Sequence, residues 1–273
     1  MLKTEMRNEH TMHIDTMNSL EMVAAMSREN FRAAQAVEEQ SEAIAKGIDM
    51  IAQAFNTGHR LFFIGCGTSG RLGVIDAVEC PPTFGADPSM VQGIIAGGQK
   101  RMFAASENEE DLGDQGAIDV EVRGVSAGDV VVGVSVAGGA AYVVGGLQKA
   151  RELGASTIAL TCNDNSPIAA VSDHAIVTDT GAEVITGSTR LKAGTAHKMV
   201  MNMLTTCAMV KTGRVYENMM VNLKPYNIKL RQRVINIVCD ICHCYAEKAV
   251  ELLDATDWEI RSAAELKAPA HGI

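Results

Sequence analysis

Five short apolar runs constrain this chain more than any other feature. They are Leu61-Phe62-Phe63-Ile64, Val91-Gln92-Gly93-Ile94-Ile95-Ala96, Val130-Val131-Val132-Gly133-Val134, Thr157-Ile158-Ala159-Leu160 and Ala175-Ile176-Val177. Runs that stay apolar instead of alternating belong to strands buried on both faces. Stretches with helical spacing separate them, such as Arg71 to Val78 and Ala141 to Leu153. Strand and helix in alternation predict an α/β class, a doubly wound parallel five-stranded sheet.

Helical extensions flank this core. Asn18-Ser19 before Leu20-Glu21-Met22-Val23 reads as a capped helix start. From Asn30 to about Asn56, Val37, Ile44, Ile48, Ile51, Ala54 and Phe55 recur at helical spacing, and Gly58 suits the residue that ends a helix in the left-handed region. A Met-rich helix is expected from Leu191 to about Thr212, and further helices after Tyr226. No internal repeat or low-complexity linker interrupts the pattern.

Composition excludes several classes of function. The net charge of −9 over 273 residues does not suit a nonspecific nucleic-acid binder, which needs a basic footprint. No run reaches the roughly 18 apolar residues of a membrane span. The polar start, Met1 to His10, has no signal-peptide core, and the seven cysteines are scattered. A cytoplasmic chain with free thiols is therefore expected.

Four motifs can carry chemistry. Gly65-Cys66-Gly67-Thr68-Ser69-Gly70-Arg71 follows the first strand directly. Its glycines allow a sharp turn, and Thr68, Ser69 and free helix-start N–H groups suit an anion. Its spacing fits GxGxxG, but Ile95-Ala96-Gly97-Gly98 ends the next strand without the ribose-binding acid a dinucleotide needs. Val78-Glu79-Cys80-Pro81-Pro82 predicts a helix stopping near Glu79, which is either a solvated helix-end glutamate or a general acid whose proton affinity the helix dipole raises. Glu107-Asn108-Glu109-Glu110-Asp111 with Asp114 is an acidic cluster able to supply a base, or a solvated loop. Thr186-Gly187-Ser188-Thr189-Arg190-Leu191-Lys192 is either a second anion site with two cations or a helix cap. Cys239-Asp240-Ile241-Cys242-His243-Cys244 contains CxxCH, but without further ligands it reads as helix cysteines, with no metal.

Together these segments resemble the N-acetylmuramic acid 6-phosphate etherases of the sugar-isomerase-domain superfamily. The residues that carry the resemblance are Gly67 to Gly73, Glu79-Cys80-Pro81-Pro82-Thr83-Phe84-Gly85, Gly181 to Ala196 and Asn218-Met219-Met220-Val221. The opening segments Thr4-Glu5-Met6-Arg7-Asn8 and Ser19 to Met22 match as well. The resemblance implies an enzyme that cleaves the lactyl ether of N-acetylmuramic acid 6-phosphate by elimination and hydration, without cofactor or metal. It implies Glu79 as the acid. The family's alanine-glutamate-aspartate segment, laid on Glu109-Glu110-Asp111, selects Glu110 as the second catalytic glutamate, with Glu109 in the alanine position. Gly67, Thr68, Ser69, Ser135, Gly138, Glu183, Ser188, Thr189, Arg190 and Lys192 are the expected substrate-binding residues. The expected division is an N-terminal helical extension at 1–57, a sugar-phosphate-binding core at 58–215 and a C-terminal helical segment at 216–273.

Two departures from the family pattern stand out. Where its second phosphosugar loop reads serine-glycine-arginine-threonine-proline, this chain has Ala137-Gly138-Gly139-Ala140-Ala141. Each lost hydrogen bond to a charged phosphate costs roughly 1.5–3 kcal/mol. Ser135 remains, and Gly138-Gly139 are expected to offer backbone N–H groups. The family's closing helical module also looks shortened after Trp258-Glu259-Ile260, ending Lys267-Ala268-Pro269-Ala270-His271-Gly272-Ile273. The altered loop motivates a second reading, a noncatalytic sugar-phosphate-binding regulator. An aldose–ketose isomerase would share the fold but leaves Glu79-Cys80-Pro81-Pro82 unexplained. Ten residues of helix would separate Ser69 from Glu79 by roughly 15 Å, more than a phosphosugar spans, so a homodimer with sites shared between its two subunits is expected from this helix length.

Overall fold

The computed structural model describes residues 2–105, 108–225 and 227–267. Glu107 of the acidic cluster, Tyr226 and the 268–273 tail lie outside the described residues. All five predicted strands are present: β1 (Leu61–Gly65), β2 (Val91–Ile95), β3 (Val130–Val134), β4 (Ser156–Thr161) and β5 (His174–Val177). They form one parallel sheet in the order β2-β1-β3-β4-β5.

Side chains leave the sheet on both faces, as continuous apolar strands require. Phe62 and Ile64 pack with Val120 of α4 (Gly113–Val122), Tyr142 and Leu147 of α5 (Ala141–Glu152) and Ile168 of α6 (Pro167–Ala170). The opposite face receives α2 (Ser41–Asn56) and α3 (Gly67–Phe84). A Cβ on Gly47 would stand 3.5 Å from both Ile158 and Ile176, and one on Gly73 would stand 2.7 Å from Phe63 Cβ. Glycine at these positions lets each helix lie directly on the sheet.

The predicted start at Asn18 is a full capping box. Asn18 accepts from Glu21 N–H, and the Glu21 carboxylate accepts from Asn18 N–H. The helical stretch after Asn30 is not continuous. α1 (Ser19–Glu38) ends before α2 begins, and Ser41 Oγ donates to the Glu38 carbonyl across the break. Gly58 closes α2 as expected, with φ of +80° and His59 N–H donating to the Ala54 carbonyl.

The larger correction concerns α3. It was expected to stop near Glu79, yet it runs through Pro81 and Pro82 to Phe84. The bias against helix before proline is overridden because Cys80 and Phe84, one turn apart, are both buried, and Gly85 N–H restores the ladder on the Pro81 carbonyl at 2.9 Å. Glu79 is thus an interior helical residue, and the argument from a terminal dipole does not apply to it.

The chain divides into two compact units, residues 1–77 with 89–208, and residues 78–88 with 209–273. The first holds the sheet. The second holds a two-stranded antiparallel ribbon, β6 (Val215–Tyr216) with β7 (Met219–Met220), and the helices α8 (Ile228–Cys242), α9 (Ala246–Asp254) and α10 (Ile260–Lys267). Val234, Val238, Ala249, Leu253, Ala263 and Ala264 form its core. α7 (Lys192–Lys211) supplies the long Met-rich helix. Among the described residues, no helix is long and apolar enough to cross a membrane.

Asp129 ties the N-terminal ends of β1 and β3 together. It is fully buried and accepts from Arg60 N–H at 2.9 Å, Arg60 Nη2 at 2.7 Å and Ser126 N–H at 2.9 Å. Burial opposes its charge, but these donors outweigh burial and hold its carboxyl below the usual range. The carboxylate therefore stabilises the fold above the ordinary aspartate pKa, and that contribution disappears as pH falls through the lowered folded value. Asp129→Ala is expected to cost about 3 kcal/mol in urea denaturation at pH 7. The gap from wild type should shrink below about pH 3.9, where the unfolded carboxyl takes its proton.

Candidate active site

In the strand order 2-1-3-4-5, connections leave β1 and β3 toward opposite faces, and a crevice opens between their C-terminal ends. A cleft of about 210 Å³ occupies this place. Cys66, Gly67, Thr68 and Ser69 line it after β1, and Ser135, Val136, Ala137 and Ala140 line it after β3. Thr189 and Gly194 close it from the segment entering α7, and Glu110 adds a carboxylate.

The turn from β1 into α3 is a backbone-on-backbone contact. A Cβ on Gly70 would stand 2.4 Å from the Gly65 carbonyl oxygen, and one on Gly65 would stand 2.8 Å from Gly70 N. Gly67 takes φ of +50°. α3 can therefore start as soon as β1 ends. The first helical N–H groups, on Gly67, Thr68 and Ser69, have no intrahelical acceptor; Gly70 N–H is the first to reach one, on Cys66. These N–H groups and the two hydroxyls make the concave donor set that an anion needs.

The second loop departs from expectation. Gly138 N–H was expected to face an anion, but it donates to Ser135 Oγ at 3.1 Å. Gly138 turns at φ of +78°, and its Cβ position is only 2.3 Å from Ser166 Cβ, so no larger residue fits there. Gly138 shapes the loop, while Ser135 lines the cleft. Because Ser135 Oγ already accepts one bond, its own O–H remains available as a donor.

The acidic cluster separates its members. Glu109 is paired with Arg101, whereas Glu110 lines the cleft. Arg101 Nη1 also binds the Ala105 carbonyl, and Arg71 binds the carbonyls of Met102 and Ala104. The two guanidinium groups thus hold the chain that leads toward Glu110.

The third expected anion site is dispersed. Thr189 lines the cleft, but Ser188 and the exposed Arg190 do not. The Glu183 carboxylate accepts from Lys192 N–H and Ala193 N–H, capping α7. Burial raises its proton affinity against these donors. Lys192 is buried and its Nζ lies 2.5 Å from the Glu29 carboxylate, which Asn8 and His10 also contact. Burial opposes the charge on Glu29, but Lys192, His10 and Asn8 prevail and keep it ionised below the usual range. Lys192 and Glu183 are therefore engaged inside the protein and do not present themselves to the cleft. Glu29 was missed by the sequence reading. A carboxylate on the face shared by Ala25, Ala33 and Ala36 was the available signal.

Glu79 is exposed on α3 and belongs to the second compact unit. α3 is continuous from Gly67 to Phe84, so the helix break that would shorten the path from Ser69 to Glu79 is not seen. In the same unit, Cys239, Cys242 and Cys244 are free thiols, and His243 is the left-handed residue ending α8. Among the described residues, no cluster could hold a metal.

Cys66 stands in the wall of the cleft between two motif glycines. Burial pushes its thiol up to about 12, with Glu110, Glu109 and Asp111 adding to the effect. It should stay protonated through neutral pH and therefore unreactive, because only a thiolate is nucleophilic. Iodoacetamide at pH 8 is expected to label exposed Cys207 well before Cys66, as read by peptide mass spectrometry. Glu110→Gln should speed Cys66 labelling.

Comparison with known proteins agrees with this geometry. The glucokinase regulatory protein N-terminal SIS domain family matches residues 43–151, and the SIS domain family matches residues 107–207. A phosphoheptose isomerase from Neisseria gonorrhoeae superposes with a TM-score of 0.54 at 23% identity, covering 70% of this chain and 98% of its own. A second, from Francisella tularensis, gives 0.54 at 15% identity, covering 71% and 100%. These likenesses establish the fold. In sequence, the N-acetylmuramic acid 6-phosphate etherase of Clostridium beijerinckii is 47% identical over 262 residues, 96% of this chain and 86% of its own. That of Vibrio campbellii is 47% identical over 265 residues, 96% and 85%. At this identity over nearly its whole length, the chain belongs to the N-acetylmuramic acid 6-phosphate etherase family.

Proposed function

We propose that this protein cleaves the lactyl ether of N-acetylmuramic acid 6-phosphate, giving N-acetylglucosamine 6-phosphate and D-lactate. Its family membership supports the reaction. The observation that carries the site assignment is that Glu110 and the phosphate-type loop Gly67-Thr68-Ser69 line one cleft. Hydrogen bonds from Thr68, Ser69, Ser135 and Thr189, with the helix-start N–H groups, hold the phosphate. Glu110 takes the proton from C2. The C3–O bond breaks, its electron pair stays on the ether oxygen, and Glu79 protonates that oxygen as lactate leaves. Water then adds its hydroxyl to C3 and gives its remaining proton to Glu79, while Glu110 returns its proton to C2. The length of helix between Ser69 and Glu79 favours a homodimer in which Glu79 serves the substrate held mainly by the other subunit.

One observation favours a noncatalytic sugar-phosphate sensor as the second reading. Among the described residues no lysine or arginine lines the cleft, and the Gly138 N–H is already engaged by Ser135.

Incubation with the substrate and assay of free D-lactate decides between them. Glu79→Gln and Glu110→Gln are each expected to lower kcat by about 10²–10⁴. Binding of the sugar phosphate without lactate release would replace the etherase by the sensor. Mixed dimers of Glu79→Gln and Ser69→Ala chains should recover activity. Stable mixed dimers as inactive as their parents would overturn the shared site.

A further inference from the structure

Parts of two segments that carry the family resemblance lie away from the cleft. Residues 6–8 and 181–182, with Lys192, converge instead on a separate, wider cavity of about 990 Å³ in the first compact unit. Its wall includes Arg7, Asn8, Arg28, Phe31, Ala182 and Lys192.

The charge of this cavity runs against that of the chain. Five lysines and arginines face three carboxylates in its lining, a local excess of two positive charges in a protein of net −9. Three of the five are engaged. Lys3 pairs with Asp179, Arg32 with Glu39, and Lys192 with Glu29. The Arg7 and Arg28 side chains have no hydrogen-bond or ion-pair partner among the described residues.

Arg7 is also held in place by its neighbours. Asn8 Nδ2 donates to the Ala182 carbonyl at 3.1 Å and to Glu29 at 2.7 Å, Thr11 Oγ1 donates to the Val184 carbonyl at 2.9 Å, and Lys3 N–H donates to Asn163 at 3.2 Å. Thr4 and Thr11 are buried. The opening segment is thus strapped to residues far along the chain by polar contacts that are buried or partly buried. Such fixing removes part of the ordering cost a binding residue otherwise bears.

We infer that this cavity is a second ligand site that takes a small sugar phosphate, apart from the cleft between β1 and β3. Two unpaired guanidinium groups supply the forked donors that a phosphomonoester accepts. Phe31, 77% exposed, and Met6, 48% exposed, offer apolar surface for the C–H face of a sugar ring. The cavity is far larger than an inorganic ion needs. Occupation here makes the protein responsive to a phosphorylated sugar independently of turnover.

Calorimetric titration of the full chain with N-acetylglucosamine 6-phosphate tests this. Wild type is expected to show two classes of site. The Arg7→Ala, Arg28→Ala double variant should weaken one class at least tenfold and leave the other, and Ser69→Ala should do the reverse. Because both arginines are exposed and unpartnered, their loss should leave the melting temperature unchanged; Arg28→Glu alone gives a second measure of the same site. A single class of site in wild type that the double variant leaves untouched would overturn the inference. So would unphosphorylated N-acetylglucosamine binding equally well, or inorganic phosphate binding as tightly as the sugar phosphate. None of these outcomes depends on lactate release.

Discussion

The contact between Gly65 and Gly70 is the constraint on which the rest of the site depends. A side chain at either position would strike the backbone of the other. Without it α3 leaves β1 immediately, and its unpaired N–H groups open onto the crevice between β1 and β3 instead of onto solvent. The parallel sheet supplies the crevice, since strand order reverses direction there. Sheet, turn and helix start are therefore one arrangement, and the hydroxyls of Thr68 and Ser69 follow from it.

Charge is distributed by the same logic. The cleft holds donors without lysine or arginine, while the cations cluster in the cavity beside α1 and the opening segment. A buried pair such as Lys192 with Glu29 tolerates low exposure only because Asn8, His10 and each other's charge satisfy it. That network uses Lys192 to fix the opening segment against α7. The proposed phosphate pocket relies instead on oriented dipoles, which carry no desolvated full charge of their own.

The strands were legible because burial on both faces leaves them largely apolar, so continuous runs such as Val130 to Val134 name themselves. The glycine loop was legible from residue type and spacing, whereas Glu110 was singled out within its acidic cluster only by the family resemblance. Other features needed three dimensions. Glu39-Gln40 breaks a helix without glycine or proline, and only the Ser41 hydroxyl on the Glu38 carbonyl marks it. Pro81-Pro82 signalled a stop that the burial of Cys80 and Phe84 overrode. Lys192 looked like a phosphate ligand because its partner, Glu29, lies 163 residues away. Gly138 looked like a free donor because the hydroxyl that takes its N–H comes from its own loop.

The position of Cys66 has a consequence for selectivity between competing nucleophiles. Elimination of lactate from the proposed substrate passes through a conjugated aldehyde, a soft electrophile to which sulfur adds readily. A thiol with a pKa of about 12 exists as thiolate in roughly one molecule in ten thousand at pH 8. Burial and the carboxylates that crowd this thiol therefore shield the intermediate as well. They keep sulfur out of the addition and reserve it for water, so the cleft can carry a cysteine in its wall without alkylating itself.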